Sequence, residues 1–150
     1  MFKVGKVTAI DEKKCKVRVI FQENDLISAW LPIVSRGSYK TKDYWIPDID
    51  EQVLVGYTEE KEGFILGAFF SDEDEPPIED KDRRHIALEG GTTIDYNKEN
   101  GEITINCAGA VNITAAGNVN VTGDVIADGI SLKTHTHGET QSITTAPIGG

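Results

Sequence analysis

Two histidines set one residue apart, His135 and His137 in Thr134-His135-Thr136-His137-Gly138, are the side chains of this sequence best suited to chemistry. Extended backbone turns residues i and i+2 to the same side, so both imidazoles face one way. Neutral imidazole nitrogen is a common ligand for transition metals. A single His-x-His pair supplies fewer ligands than a closed metal site needs, and within one chain the alternative is two solvated histidines. The remaining histidine, His85, stands beside Arg83 and Arg84 and is expected to be structural or solvated.

Other residue groups suggest other chemistries. The loop from Val34 to Trp45 interleaves Arg36, Lys40 and Lys42 with Tyr39, Tyr44 and Trp45. That mixture suits a single-strand nucleic-acid platform. The favoured reading is that Tyr44 and Trp45 cover a barrel end or meet a protein partner, since nothing else supports nucleic-acid readout. Carboxylates are plentiful enough to supply a glycosidase pair. They cluster instead in solvated runs such as Asp72–Glu75, with no pocket-forming α/β pattern, so no enzyme is expected. Asn112-Ile113-Thr114 and Asn120-Val121-Thr122 match the glycosylation pattern, yet the MFKVGKV start has no apolar signal core. Cys15 and Cys107 lie far apart and imply no disulfide framework.

These groups must be positioned by 150 residues of net charge −10. The charge is uneven, at +2, −9 and −3 over successive blocks of fifty residues. A nucleic-acid binder is expected to be basic, which weighs against that function for the whole chain. The longest apolar run, Phe64–Phe70, is far shorter than the ~20 residues of a membrane helix. Synthesis and solubility in a host cytoplasm, without a secretory signal, are expected.

Residues 1–71 read as short strands and turns. Val4, Val7 and Ile10 line a first strand, with Gly5 as a bulge or bend. Cys15, Val17 and Val19 alternate with Lys16, Arg18 and Ile20. Ile27, Ala29, Leu31 and Ile33 alternate again, and Gln52–Tyr57 and Gly63–Phe70 give two more strands. Helical spacing is not sustained. A small closed barrel of the OB type is expected. Residues 72–85, acidic and holding Pro76-Pro77, read as a linker, since proline cannot donate to a sheet and like charges repel.

Residues 86–133 contain a repeat. Octads open at Gly101, Gly109 and Gly117, each with β-branched residues at its third and fifth places: Ile103/Ile105, Val111/Ile113 and Val119/Val121. Asn and Thr fill the polar positions between them. Gly123-Asp124-Val125 and Gly129-Ile130-Ser131-Leu132 read as shorter turns of the same device. One octad cannot bury its apolar face, so repeats must stack. A single-chain solenoid needs longer coils, of about twenty residues. Three chains wound on one axis solve the burial problem, and that arrangement is favoured. It also completes the histidine count: two inward imidazoles per chain give six nitrogens, which admits iron or nickel over four-coordinate zinc. Residues 134–150 then form a tip that caps the open strand edges.

Taken in order, these segments resemble the phage baseplate assembly protein V and central tail spike family of contractile tails and related injection systems. Trp30-Leu31-Pro32-Ile33 resembles its Trp-Leu-Pro segment, and Pro47–Val55 its Pro-x-x-Gly-Glu-x-Val turn and strand, with Asp50 where the family usually has Gly. Gly63–Gly67 followed by Pro76-Pro77 is similar to its strand and exit. Gly91–Tyr96 is similar to its shaft entry, and Thr134–Gly138 to its tip motif. The resemblance implies an all-β homotrimer: an N-terminal OB-fold barrel, then an intertwined β-helix with a metal-capped tip. It implies one iron ion per trimer held by His135 and His137 of the three chains, and a baseplate hub protein docked on the OB domains. It places the protein at the tail baseplate or injection-particle tip, where it pierces the target cell's outer envelope mechanically and binds no nucleic acid. The alternative is an OB-fold module for nucleic acid or saccharide with a trimerising tail.

Overall fold

The computed structural model describes residues 1–136. The described residues form strands and no helix, so none of their helices could cross a membrane. The first sheet holds β1 (Phe2–Asp11), β2 (Lys16–Phe21), β3 (Leu31–Pro32), β4 (Gln52–Tyr57) and β5 (Gly63–Ala68) in the order β3-β2-β1-β4-β5. All of its neighbours are antiparallel. The sheet curls until its edges meet: Val34 N donates to Ile65 O at 2.9 Å, and Ile33 and Ile65 bridge in parallel. The OB-type barrel expected from the sequence is therefore present.

Period-two patterning explains the barrel's core. Val7, Val17, Val19, Val53, Val55 and Ile65 are fully buried, with Phe21 and Leu31 beside them. Each such side chain contributes ~1.5–3 kcal/mol of burial. Arg18, between Val17 and Val19, turns to solvent as the alternation requires.

Two local expectations are corrected. Gly5 is not a bulge, because it pairs in register with both Phe21 and Val53. A Cβ there would lie 2.7 Å from the Ile20 carbonyl oxygen, so Gly5 permits close strand approach. The irregularity comes later, where the register shifts between Val7 and Ala9. The strand expected over 27–33 also shrinks to Leu31–Pro32. Ile27 is 60% exposed, and the buried residue is Ser28. Its hydroxyl accepts from Val19 N at 3.0 Å and donates to Ala29 O at 2.7 Å. A side-chain bond thus replaces a ladder bond, which apolar alternation cannot reveal.

Further along, β6 (Arg83–Ala87), β7 (Thr93–Asn97) and β8 (Ile103–Asn106) form a second sheet in that order. β9 (Ile126–Ala127) and β10 (Ile130–Ser131) form a small antiparallel hairpin. Its turn residues Asp128 and Gly129 have φ of 49° and 81°, the left-handed pair that a tight hairpin turn demands. The segments around Gly123 and Gly129 are thus the two arms of a hairpin rather than successive turns of the octad device. The described residues divide into two compact units, Met1–Leu88 with Thr93–Ile105, and Glu89–Thr92 with the segment from Asn106 onward.

Candidate assembly surfaces and metal ligands

The octad side chains are open to solvent. Ile103, Ile105, Val111, Ile113, Val119 and Val121 are between 56% and 72% exposed. Only the first octad contains a strand, β8, and residues 107–125 pair with nothing as a ladder among the described residues. The sequence supplies alternating β-branched residues, and among the described residues no surface covers them.

The second sheet is apolar on one face and polar on the other. Ile86 pairs with Ile94 and Arg84 with Tyr96, and all three apolar members are at least 37% exposed. The opposite face carries His85 paired with Asp95. Asp95 is buried, accepting from Arg83 Nε at 2.6 Å and from His85 Nδ1 at 2.7 Å. The His85 hydrogen bond, helped by the Arg83 guanidinium, holds the Asp95 carboxyl below its ordinary range against the opposing effect of burial. His85 is thus structural. Sequence reasoning placed it beside its arginines but missed Asp95, ten residues on, because only strand register brings the two together.

At the far end, Asp124 organises the β9–β10 hairpin. Its carboxylate accepts from Ser131 Oγ at 2.5 Å, Val125 N at 2.8 Å and Lys133 N at 3.2 Å. The Ser131 bond is the main cause of a lowered Asp124 pKa. Asp124 was also unforeseen, although Asp128-Gly129 was an available hairpin signal.

This hairpin leads directly to His135. His135 Nδ1 lies 3.1 Å from Ser131 O and 3.0 Å from Leu132 O. Carbonyl oxygens only accept, so Nδ1 carries the proton that these two bonds use. That tautomer fits a metal ligand, since ligating imidazoles commonly donate their other N–H to a carbonyl. His137 lies outside the described residues. Among the described residues no group of three His, Cys, Asp or Glu gathers in one chain. One chain therefore brings His135 to its end in a suitable tautomer and does not complete a site.

In the barrel, residues 34–45 form a closed loop. Asp43 N donates to Gly37 O at 2.9 Å, Ser35 Oγ donates to Asp43 O, and Arg36 pairs with Asp43. Trp45 packs against the core and donates from Nε1 to Val34 O at 3.2 Å. It covers the barrel rather than standing free. Tyr39 and Tyr44 are 80% and 63% exposed.

Residues 3–70 match the family described as the type VI secretion system/phage-baseplate injector OB domain. The match covers the barrel, so residues 3–70 are similar to that injector OB domain. Over 128 residues, 84% of its length, the chain is 26% identical to a spike protein of Escherichia phage P2, and it spans 60% of that relative. The resemblance to the baseplate assembly V and spike family is borne out. The structure also accounts for the injector domain's unusual Asp50. Its φ is 70° and its N–H donates to Val7 O at 2.8 Å, so the turn keeps the left-handed geometry that glycine adopts easily. Aspartate tolerates that region better than most residues.

Proposed function

We propose that this protein is a structural central spike of a contractile phage tail or phage-tail-like injection particle. Three chains wind their octads around one axis, and the resulting needle is driven through the target cell's outer envelope. The observation that carries this reading is the exposure of all six octad apolar residues, four of them in the stretch 107–125 that forms no strand among the described residues. Leaving a Val or Ile in water forgoes ~1.5–3 kcal/mol, so a lone copy of this segment is a poor fold. Two further copies supply the missing walls, and Ile86, Ile94 and Tyr96 are a further exposed apolar group that such copies can cover. An interwoven shaft has no edge strand to peel, which suits force transmission without chemistry. Its role is therefore structural rather than enzymatic.

His135 and His137 of three chains would hold one octahedral metal, for which iron is the candidate. Bound there, the ion supplies a crosslink between chain ends. The chain's own part is to set the His135 tautomer through the Ser131 and Leu132 carbonyls. The injector OB domain is the surface for a baseplate hub protein. Sedimentation velocity at micromolar concentration tests the reading: a trimer supports it, and a stable folded monomer refutes it.

A further inference from the structure

The injector OB domain carries two surface features of opposite character. The first is the loop 35–43, already closed at its neck. Ser38 and Lys42 bridge across it, and a Cβ on Gly37 would lie 2.7 Å from Thr41 O, so the loop is tight. Tyr39 stands at its tip with the Lys40 ammonium 5.9 Å over its ring. Among the described residues neither Lys40 nor Lys42 pairs with a carboxylate.

The second feature is a groove of about 570 Å³ between the turn at 48–51 and the turn at 69–74. Its floor holds Ile49, Phe69 and Phe70, which are 50%, 41% and 64% exposed. Its rim holds Asp48, Asp50 and Asp74, none of which has a cation within ion-pair distance among the described residues. Both walls are fixed. Asp50 N and Val7 N bond across to each other's turn and strand, Ser71 and Asp74 bond to each other, and Lys6 pairs with Glu73.

We propose that the 35–43 loop of one protomer docks into the 48–51/69–74 groove of the next, closing three OB domains into a ring. The inference rests on the trimeric reading above. In a three-fold ring the head-to-tail contact between neighbours joins two different patches of the same chain, so each protomer must offer a matched pair. Here an aromatic tip flanked by lysines meets an aromatic floor flanked by aspartates. The loop reaches β5 at Ile65 through the Val34 bond, the groove lies beyond Ala68, and the two patches share no residue, so one copy has both a giving and a receiving patch. Tyr39 buried on Phe69 and Phe70 is the anchor, and the charges select the register.

The test uses the full chain with Cys15→Ser and Cys107→Ser as background. Tyr39→Cys combined with Phe70→Cys is oxidised mildly and run denatured without reductant. A covalent trimer from the double variant, with none from either single variant, is expected. A double variant that runs as one chain, with or without an internal disulfide, while its native mass stays trimeric, overturns the ring and leaves the spike intact. A native monomer removes both. Lys40→Glu with Lys42→Glu should lower the crosslink yield about tenfold, and adding Asp48→Lys with Asp74→Lys should restore it. Unchanged yield in the charge-reversed variant contradicts the proposed register.

Discussion

His85 and Asp95 face each other across β6 and β7, with Nδ1 2.7 Å from the carboxylate and Arg83 bonded to its other oxygen. A buried, doubly bonded carboxylate on one face leaves the apolar face of Ile86, Ile94 and Tyr96 as the side available for assembly. The bonded face of this sheet is therefore held by a polar network.

That network makes the sheet acid-sensitive. The folded Asp95 pKa is lowered, so its contribution is complete above the ordinary carboxylate value and is lost as pH falls through the lowered folded value. Cross-strand NMR contacts between β6 and β7 should weaken below about pH 4, while those around Val19 persist. Asp95→Asn should weaken the same contacts at neutral pH and remove the acid step. An unchanged step in that variant would show that another group controls it.

Ile65 stands both in the barrel core and at its closure. Ile65 is fully buried and its backbone joins the strand edges through Val34. Ile65→Ala should cost ~2–5 kcal/mol, and Ile65→Val ~0.5–1.5 kcal/mol, read from urea midpoints. Equal midpoints for wild type and Ile65→Ala would contradict the placement of the core.

In the proposed trimer the octads separate inward from outward positions. Val111→Lys with Ile113→Lys should abolish the trimer, because charges cannot enter a dry axis without a partner. Asn112→Lys with Thr114→Lys should leave it intact. Size-exclusion chromatography with light scattering distinguishes the two, and dissociation of both or neither would reverse the assignment of faces.

The tip should be separable from the shaft. His135→Ala with His137→Ala should lose the metal while the trimer persists, as the octads carry the assembly. Elemental analysis checks this, and equal metal content in wild type and variant would remove the ligands proposed.

Much of the barrel was legible because buried strands announce themselves by alternation. Val17 and Val19, and Gln52–Tyr57 as β4, follow directly from period two. Where a polar side chain took over a backbone bond, as at Ser28, the pattern misled. Gly5 carried a true signal of close approach that was mistaken for a bulge. The Asp95 and Asp124 carboxylates were hidden for a different cause. Their partners lie ten and seven residues away, and only hairpin register joins them. The octads were legible as an unmet need for burial, which one chain leaves unmet in the structure.

The mass of the intact native particle, measured with its bound metal, tests the central claim most directly. Three copies of the 16.4 kDa chain plus one metal ion are expected. A folded species of a single copy, or a trimer free of metal, would contradict the metal-capped needle.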